Sequence, residues 1–427
     1  FDLAIALAWL IASHQSSGEH SEDYAIIGEL ALTGEIRRVK GVLPIALTAK
    51  AQGRLGILVP ADNAAEAAVV DGLEVIAVNN LREAASFLAG TTLITPKLVN
   101  TKALFEDQID TEHDLNEVKG QETVKRALEI AAAGGHNLIL IGPPGTGKSM
   151  LAKRLRSILP PLTLDEALET TRIHSVAGLL EPHQALVTQR PFRSPHHTAS
   201  DAGLLGGSIN PSPGEISISH HGVMFLDELP EFRRRVLETL RQPLEEGHVT
   251  ISRAAGTMTF PAEFMLVAAM NPTPDGKMPN ESRSSPREIQ NYLGRISGPL
   301  LDRIDLHIEV PPVNFRELDA QTGGEPSKVI RERVVEARRL QSERFRGAHS
   351  CNARMNPKDL QKHCTMDKAT RDLLRTAMEE LDLSARAYDR ILKVSRTIAD
   401  LAGAKGLKTE HVSEAIQYRT LDRQIWT

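Results

Sequence analysis

The stretch Gly142-Pro-Pro-Gly-Thr-Gly-Lys-Ser149 constrains this chain more than any other. Glycine, four residues, then Gly-Lys-Ser builds a loop whose backbone amides face phosphate oxygens when a strand precedes it and a helix follows. Asn137 to Ile141 is a short apolar run that reads as a buried strand, and Lys148 to Leu155 switches to helical spacing. Gly142, Pro143, Pro144, Gly145, Thr146 and Gly147 then form the cradle. Lys148 reaches the β and γ phosphates, and Ser149 offers its hydroxyl to magnesium. ATP with Mg2+ is the expected ligand.

Groups for hydrolysis follow along the chain. Gly222 to Leu226 is a second buried-strand run ending in Asp227-Glu228, and open parallel sheets bind ligands at that end of their strands. Asp227 suits the magnesium, whereas Glu228 suits activation of a water as general base. Phe264 to Met270 is a third apolar run, and the amide of Asn271 at its end suits orienting that water. Arg303 stands just before the strand-like Leu306 to Val310, where an arginine stabilises γ-phosphate charge, often that of a neighbouring subunit.

Taken in this order the elements resemble the AAA+ ATPases, with Lys148 and Ser149 as Walker A, Asp227 and Glu228 as Walker B, Asn271 as sensor 1 and Arg303 as arginine finger. Pro191-Phe-Arg-Ser-Pro-His-His-Thr-Ala-Ser-Asp201 and Pro213 to Phe232 narrow the resemblance to the magnesium-chelatase-like branch and its ComM/YifB family. The resemblance implies an α/β fold: a P-loop core with a parallel sheet, an all-α lid, and a partial N-terminal Lon-protease-like (ribosomal S5-like) domain. It also implies a bacterial homo-hexameric helicase that promotes branch migration during natural transformation and homologous recombination. Single-stranded or branched DNA, bound without sequence preference, and recombination proteins are the implied partners. Two other classes stay open: a chelatase-type motor that remodels a partner protein, and a Lon-like protease.

Composition agrees. At 427 residues and 41% hydrophobic content the chain suits two or three domains. A formal charge of −5 speaks against a broadly basic coat, yet leaves room for a basic channel lined by a few arginines. No apolar run reaches the roughly 18 residues of a membrane span. Two cysteines in this length suit a reducing cytoplasm without disulfides. The opening at Phe1, without Met and mid-pattern, reads as a fragment.

Residues 1–90 alternate helical and strand-like runs, and Gly28 to Glu35, Val42 to Ile45 and Ile57 to Pro60 carry the Lon resemblance. A serine nucleophile with a lysine base would be needed for its chemistry. The base position falls at Ala49, with Lys50 one residue out of register, and the serine position falls before Phe1. A structural or docking role is therefore expected. Residues 91–113 form a polar linker, 114–322 the ATPase core, and 323–427 the helical lid. Asp114 to Gln121 resembles the segment that touches adenine, which gives Gln121 to the ATP site. Thr163-Leu-Asp-Glu166 has a capping-box pattern and opens an insertion between the two Walker motifs. In that insertion, Gly203 to Gly207 reads as a flexible loop, either projecting into a channel or lying on the surface.

His248 to Arg253 alternates, Ala254 to Gly256 turns and Thr257 to Phe260 returns, which predicts a hairpin with Arg253 at its tip. In the MCM helicases and their relatives a basic residue at this tip grips the DNA backbone; an ordinary exposed arginine is the alternative. The run Arg233 to Arg235 reads as a solvated or subunit-interface face, with a nucleic-acid contact as the alternative. His196-His197 and His220-His221 each offer one ligand atom per face if extended, and Cys351, His363 and Cys364 are spaced as a weak metal candidate; no structural metal is assigned. Many ComM-like proteins carry four cysteines after sensor 1. The matching places here are Thr273, Asp275, Ser282 and Ser284, and the loop's Pro and Gly content predicts mobility. Val329, Ile330, Val334, Leu340 and Phe345 mark one amphipathic helix and Ala387, Ile391, Val394, Ile398 and Leu401 another. Ser384-Ala-Arg386 resembles the sensor 2 motif, with Arg386 on the γ-phosphate.

Overall fold

The computed structural model describes residues 1–105, 113–207, 211–253, 256–313, 323–347, 351–419 and 421, with Arg253 described in its backbone only. Two compact units emerge: Phe1–Gln108 with Leu162–Gln189, and Ile109–Pro161 with Arg190–Thr427.

In the first unit, the parallel strands Tyr24–Ile26, Gly56–Pro60 and Glu74–Val78 form a small sheet with the all-buried Gly56–Pro60 strand in the middle. Asp2–Ala12, Val42–Ala51 and Leu81–Leu88 are its principal helices. Ala49 is buried in its helix, and Lys50 projects outward to donate to Asp71 O at 2.6 Å. The capping box is present: Glu166 N donates to Thr163 Oγ1 at 3.2 Å and Thr163 N to Glu166 Oε2 at 3.0 Å, starting the helix Leu164–Ala177. That helix belongs to the first unit, although sequence order sets it between the Walker motifs. Its attachment is chemical as well as apolar. Buried Glu66 accepts from Leu43 N at 2.9 Å, from Asn63 Nδ2 at 3.1 Å and from Ser175 Oγ.

The second unit holds a five-stranded, wholly parallel sheet in the order Leu306–Glu309, Leu138–Ile141, Met265–Met270, Val223–Leu226, Phe192–Arg193. Its inner strands are fully buried apolar runs, as a sheet covered on both faces requires. Chain order and sheet order differ, so the first strand lies inside the sheet with later strands on both sides. That is the switch point at which such sheets bind ligands. Helix Glu122–Gly134 and the helices Ser327–Phe345 and Ala385–Leu401 share one hydrophobic core with a face of the sheet.

Several expectations need correction here. Val329 is 40% exposed, and the buried face of Ser327–Phe345 runs through Ile330, Val334, Ala337, Gln341 and Phe345. Of the Gly203 to Gly207 stretch, the first residues belong to a short helix, Asp201–Leu205, capped by Ser200 Oγ on Gly203 N at 3.1 Å, with Leu204 in the core. The histidine pairs are not extended: their rings lie side by side, with centroids 4.1 Å apart for His196 and His197 and 3.8 Å for His220 and His221. In the second pair alternation of faces does not apply, because His221 has φ of 54°.

Candidate nucleotide site

Register brings the candidate groups to one edge. Met270 pairs with Ile141 and Ala268 with Leu226, so Gly142, Asn271 and Asp227 all leave the sheet at its carboxyl end. Gly142 is wedged between strand ends: its amide donates to Met270 O at 3.2 Å, and a Cβ there would lie 2.3 Å from Val310 O. Gly145 and Gly147 adopt φ of 80° and 86°, the left-handed region that glycine enters without strain.

Three features fit a nucleoside triphosphate. Among the described residues, its chain neighbours aside, no heavy atom lies within 4 Å of where a Cβ of Gly145 would stand, so the loop has an open face. Helix Lys148–Arg154 begins without a side-chain cap, which leaves its first amides for a ligand. Buried Gln121 Oε1 has no hydrogen-bond partner among the described residues, whereas Gln121 Nε2 donates to Thr146 O at 3.0 Å and Pro311 O at 3.1 Å. The amide therefore bolts the loop to the end of the outer strand and keeps one acceptor spare.

Lys148 Nζ donates to Gly142 O at 2.6 Å, Pro143 O at 2.8 Å and Asn271 Oδ1 at 3.1 Å. Burial lowers its pKa below the ordinary lysine value, and the Asp227 carboxylate opposes that. Ser149 Oγ donates to Asp227 Oδ2 at 2.5 Å, and Glu228 N donates to Asp227 Oδ1 at 2.9 Å. These two oxygens suit a hard cation such as magnesium. Glu228 has φ of 52° and a side chain 60% exposed. A non-glycine residue held in that region beside a phosphate loop fits a functional constraint. Its carboxylate stands 3.4 Å from His197 Nδ1, a partner that no sequence pattern marks. Tyr292, also missed, donates from its hydroxyl to Asn271 O at 3.3 Å.

The loop after Asn271 is tied shut, against the expectation of mobility. Asp275 Oδ1 accepts from Thr273 Oγ1 and Ser282 Oγ, each at 2.7 Å, and Asp275 Oδ2 accepts from Arg283 N at 2.8 Å. Those bonds, from the Thr273 hydroxyl first, hold the carboxyl well below the usual range. They also seat Gly276, with φ of 79°, on the phosphate loop, where a Cβ would meet Pro144 Cδ at 2.7 Å.

Arg303 and Arg386 lie elsewhere. The strand Leu306–Glu309 runs alongside Leu138–Ile141, so Arg303 precedes it at the opposite end, roughly 10 Å or more from its own phosphate loop. Arg303 is 4% exposed and pairs with Glu245 Oε2 at 2.5 Å. Arg386 pairs with Asp302 Oδ2 at 3.4 Å, beside Arg303. The hairpin forms, with its first strand His248–Arg253 as expected and its return strand Gly256–Pro261 one residue longer at each end than Thr257 to Phe260, and Arg253 pairs with Gly256 in register. Ala254 and Ala255 lie outside the described residues, as does the Arg253 side chain. Cys364 is buried, its thiol pushed up to about 12 by desolvation and directed to Leu392 O at 3.7 Å. His363 stands edge-on to Phe345. Among the described residues no helix is long and apolar enough to cross a membrane.

The chain matches three family models: "Magnesium chelatase, subunit ChlI" over residues 114–318, its C-terminal model over 324–419, and "Subunit ChlI of Mg-chelatase" over 1–63. It is 46% identical to the "Competence protein ComM" of Haemophilus influenzae over 429 residues, covering 99% of this chain and 83% of that protein. The protein YifB of Salmonella typhimurium is 44% identical over 426 residues, 99% of this chain and 82% of its own length. A "Magnesium-chelatase 67 kDa subunit" of Heliobacterium mobile is 26% identical over 224 residues, 45% of this chain and 30% of that protein. With its parallel sheet, phosphate loop and flanking carboxylates, the chain belongs to the ComM/YifB family of magnesium-chelatase-like AAA+ ATPases.

Proposed function

We propose that this chain is the subunit of a ring-forming ATP-driven motor, a homo-hexamer, that moves DNA strands past one another and so promotes branch migration during natural transformation and recombination. The observation that carries the reading is the hairpin His248–Pro261, set between the strand that ends at Asp227-Glu228 and the strand that ends at Asn271. The hairpin runs through Ala262 into the strand Met265–Met270, whose far end carries Asn271. The competence protein of Haemophilus influenzae, similar over nearly the whole chain, supports the same reading.

Gly142 to Ser149 would hold the triphosphate, with Gln121 bracing the loop. Ser149 and Asp227 would hold Mg2+, which supplies charge neutralisation to the phosphates when bound. Glu228 takes a proton from water that Asn271 orients, and Lys148 offsets phosphate charge. Arg303 faces away from its own loop, so its part in hydrolysis falls to a neighbouring subunit's nucleotide, with Arg386 of the lid beside it. DNA is held through backbone phosphates by Arg253, without sequence preference. The Lon-like unit is a docking or structural part: Ala49 is buried where a base would be needed, and Lys50 is engaged by Asp71 O.

A motor that remodels a partner protein is the second reading, favoured by the chelatase family models across both parts of the chain. Steady-state ATPase activity with and without single-stranded and four-way-junction DNA separates the two. Stimulation by DNA that disappears in Arg253→Ala, with basal hydrolysis kept, supports the DNA motor. Wild-type turnover indifferent to every DNA, yet lost in Glu228→Gln, overturns it in favour of protein remodelling.

A further inference from the structure

Arg303 is a buried arginine on the flank that precedes the outer strand. Its NH2 pairs with Glu245 Oε2 at 2.5 Å, its NH1 donates to Pro299 O at 2.5 Å, and its Nε is buried without a hydrogen-bond partner among the described residues. The guanidinium side is 5% exposed, whereas the Glu245 side chain is 54% exposed. The pair is thus lopsided: the cation is sheltered and incompletely satisfied, and its counter-ion is half in water, where ion pairing is weak and easily exchanged.

Glu245 is not on a neutral piece of scaffold. It belongs to helix Arg241–Glu246, which ends at Gly247 with φ of 70° and runs straight into the first hairpin strand at His248. Ala262 N donates to Gly247 O at 2.8 Å and closes the hairpin's base on the same residue. Leu244, beside Glu245, packs in one core cluster with Leu300, Leu301 and Ile304, which bracket Arg303. One ion pair therefore joins the segment carrying Arg303 to the root of the hairpin.

We propose that Glu245 is a positioning residue for Arg303: it holds the guanidinium withdrawn until the triphosphate of a neighbouring subunit competes for it, and its release loosens the hairpin's root. A triphosphate carries more negative charge than one carboxylate, so the exchange runs in that direction when nucleotide is present on the neighbour. The same contact works in reverse. DNA that pulls on the hairpin withdraws Glu245 and frees Arg303, which gives DNA a route to stimulate hydrolysis. The inference rests on the reading of Arg303 as acting across a subunit boundary.

The test measures ATPase rate, with and without single-stranded DNA, for the full chain and for Glu245→Gln, Glu245→Asp and Arg303→Ala, with unfolding temperature recorded for each. Glu245→Gln keeps shape and removes charge. It should raise the DNA-free rate about three- to fivefold, the size of one partly exposed ion pair, and shrink stimulation by DNA toward none. Glu245→Asp should sit between it and wild type, and Arg303→Ala should lose activity by on the order of 10³-fold. A residue that merely braces the fold would lower unfolding temperature and rate together. If Arg303→Ala is inactive while Glu245→Gln keeps both the wild-type basal rate and the wild-type response, the restraint is wrong. If Arg303→Ala turns over like wild type, the reading of Arg303 itself is what fails.

Discussion

Ser149 Oγ lies 2.5 Å from Asp227 Oδ2, joining the helix that follows the phosphate loop to the end of a strand two places away in the sheet. Hydroxyl and carboxylate stand close enough to serve one small, hard cation together. The pair holds this distance because the intervening strand Met265–Met270 keeps both neighbours in register.

Asp227→Asn keeps the shape and removes the charge. Binding of a fluorescent ATP analogue in EDTA should change little. The gain in affinity on adding magnesium should fall by about tenfold, the usual cost of losing one group around a metal. Unaltered binding of the magnesium complex would remove Asp227 from that role.

How much of this site could be read from the chain is uneven, and the reason is physical. The strands Leu138–Ile141, Val223–Leu226 and Met265–Met270 were visible because fully buried parallel strands are continuous apolar runs. Their terminal residues were then candidates by position alone. Contacts made after the chain doubles back left no such trace. His197 beside Glu228, Tyr292 on Asn271 and Glu245 on Arg303 are 31, 21 and 58 residues apart or near it, and no periodicity links residues across such gaps. Arg193 and Glu215 illustrate the same limit. Both fall in segments that resemble the family, yet only the structure shows their two-pronged pair, at 2.7 Å for each prong. The Asp275 clasp was read the wrong way because proline and glycine content signals a turn and is silent on the carboxylate that closes it.

Gln121 should separate binding from turnover. Its Nε2 bridges Thr146 O and Pro311 O, so Gln121→Ala frees the phosphate loop from the outer strand without touching Glu228 or Asn271. KM for ATP should rise several-fold with kcat within about twofold of wild type, the signature of lost uniform binding. A drop in kcat at unchanged KM would instead tie Gln121 to the reacting groups.

Gly276→Ala tests whether the clasped loop supports the phosphate loop. Alanine at φ of 79° is strained, and its Cβ would stand 2.7 Å from Pro144 Cδ. Gly403→Ala is the control, since φ is 64° there and, among the described residues beyond its chain neighbours, nothing lies within 4 Å of the added carbon. Left-handed strain costs each variant about 1–2 kcal/mol of stability. Only Gly276→Ala should also weaken ATP binding, by about fivefold or more if a further 1 kcal/mol is lost at the loop. Equal affinity in the two variants would show that the contact with Pro144 is incidental.

His136 supplies the pH dependence. It is fully buried, with Nδ1 3.2 Å from Asp305 Oδ2 and Nε2 2.8 Å from Thr397 Oγ1. Burial lowers its pKa, and Asp305 only partly opposes this. Asp305 is also buried, which works against its charge, but Arg390 at 2.9 Å together with His136 and Lys393 outweighs that and keeps it a carboxylate. The unfolded chain therefore takes up a proton below about pH 6.5 that folded His136 refuses until lower pH. The stability that His136 contributes is complete above that value and is lost as pH falls toward its folded pKa, with a slope of at most about 1.4 kcal/mol per pH unit. His136→Gln removes the titration and keeps a polar side chain in place. Chemical unfolding of both proteins between pH 7.5 and 5.5 should show wild type ahead at neutral pH and its lead shrinking as the solution is acidified. His363 and His411 also have lowered values, so the wild-type curve keeps some slope from them in both proteins, and the difference between the curves isolates His136. A lead that stays constant across the range would mean that His136 protonates in the folded chain as readily as in the unfolded one.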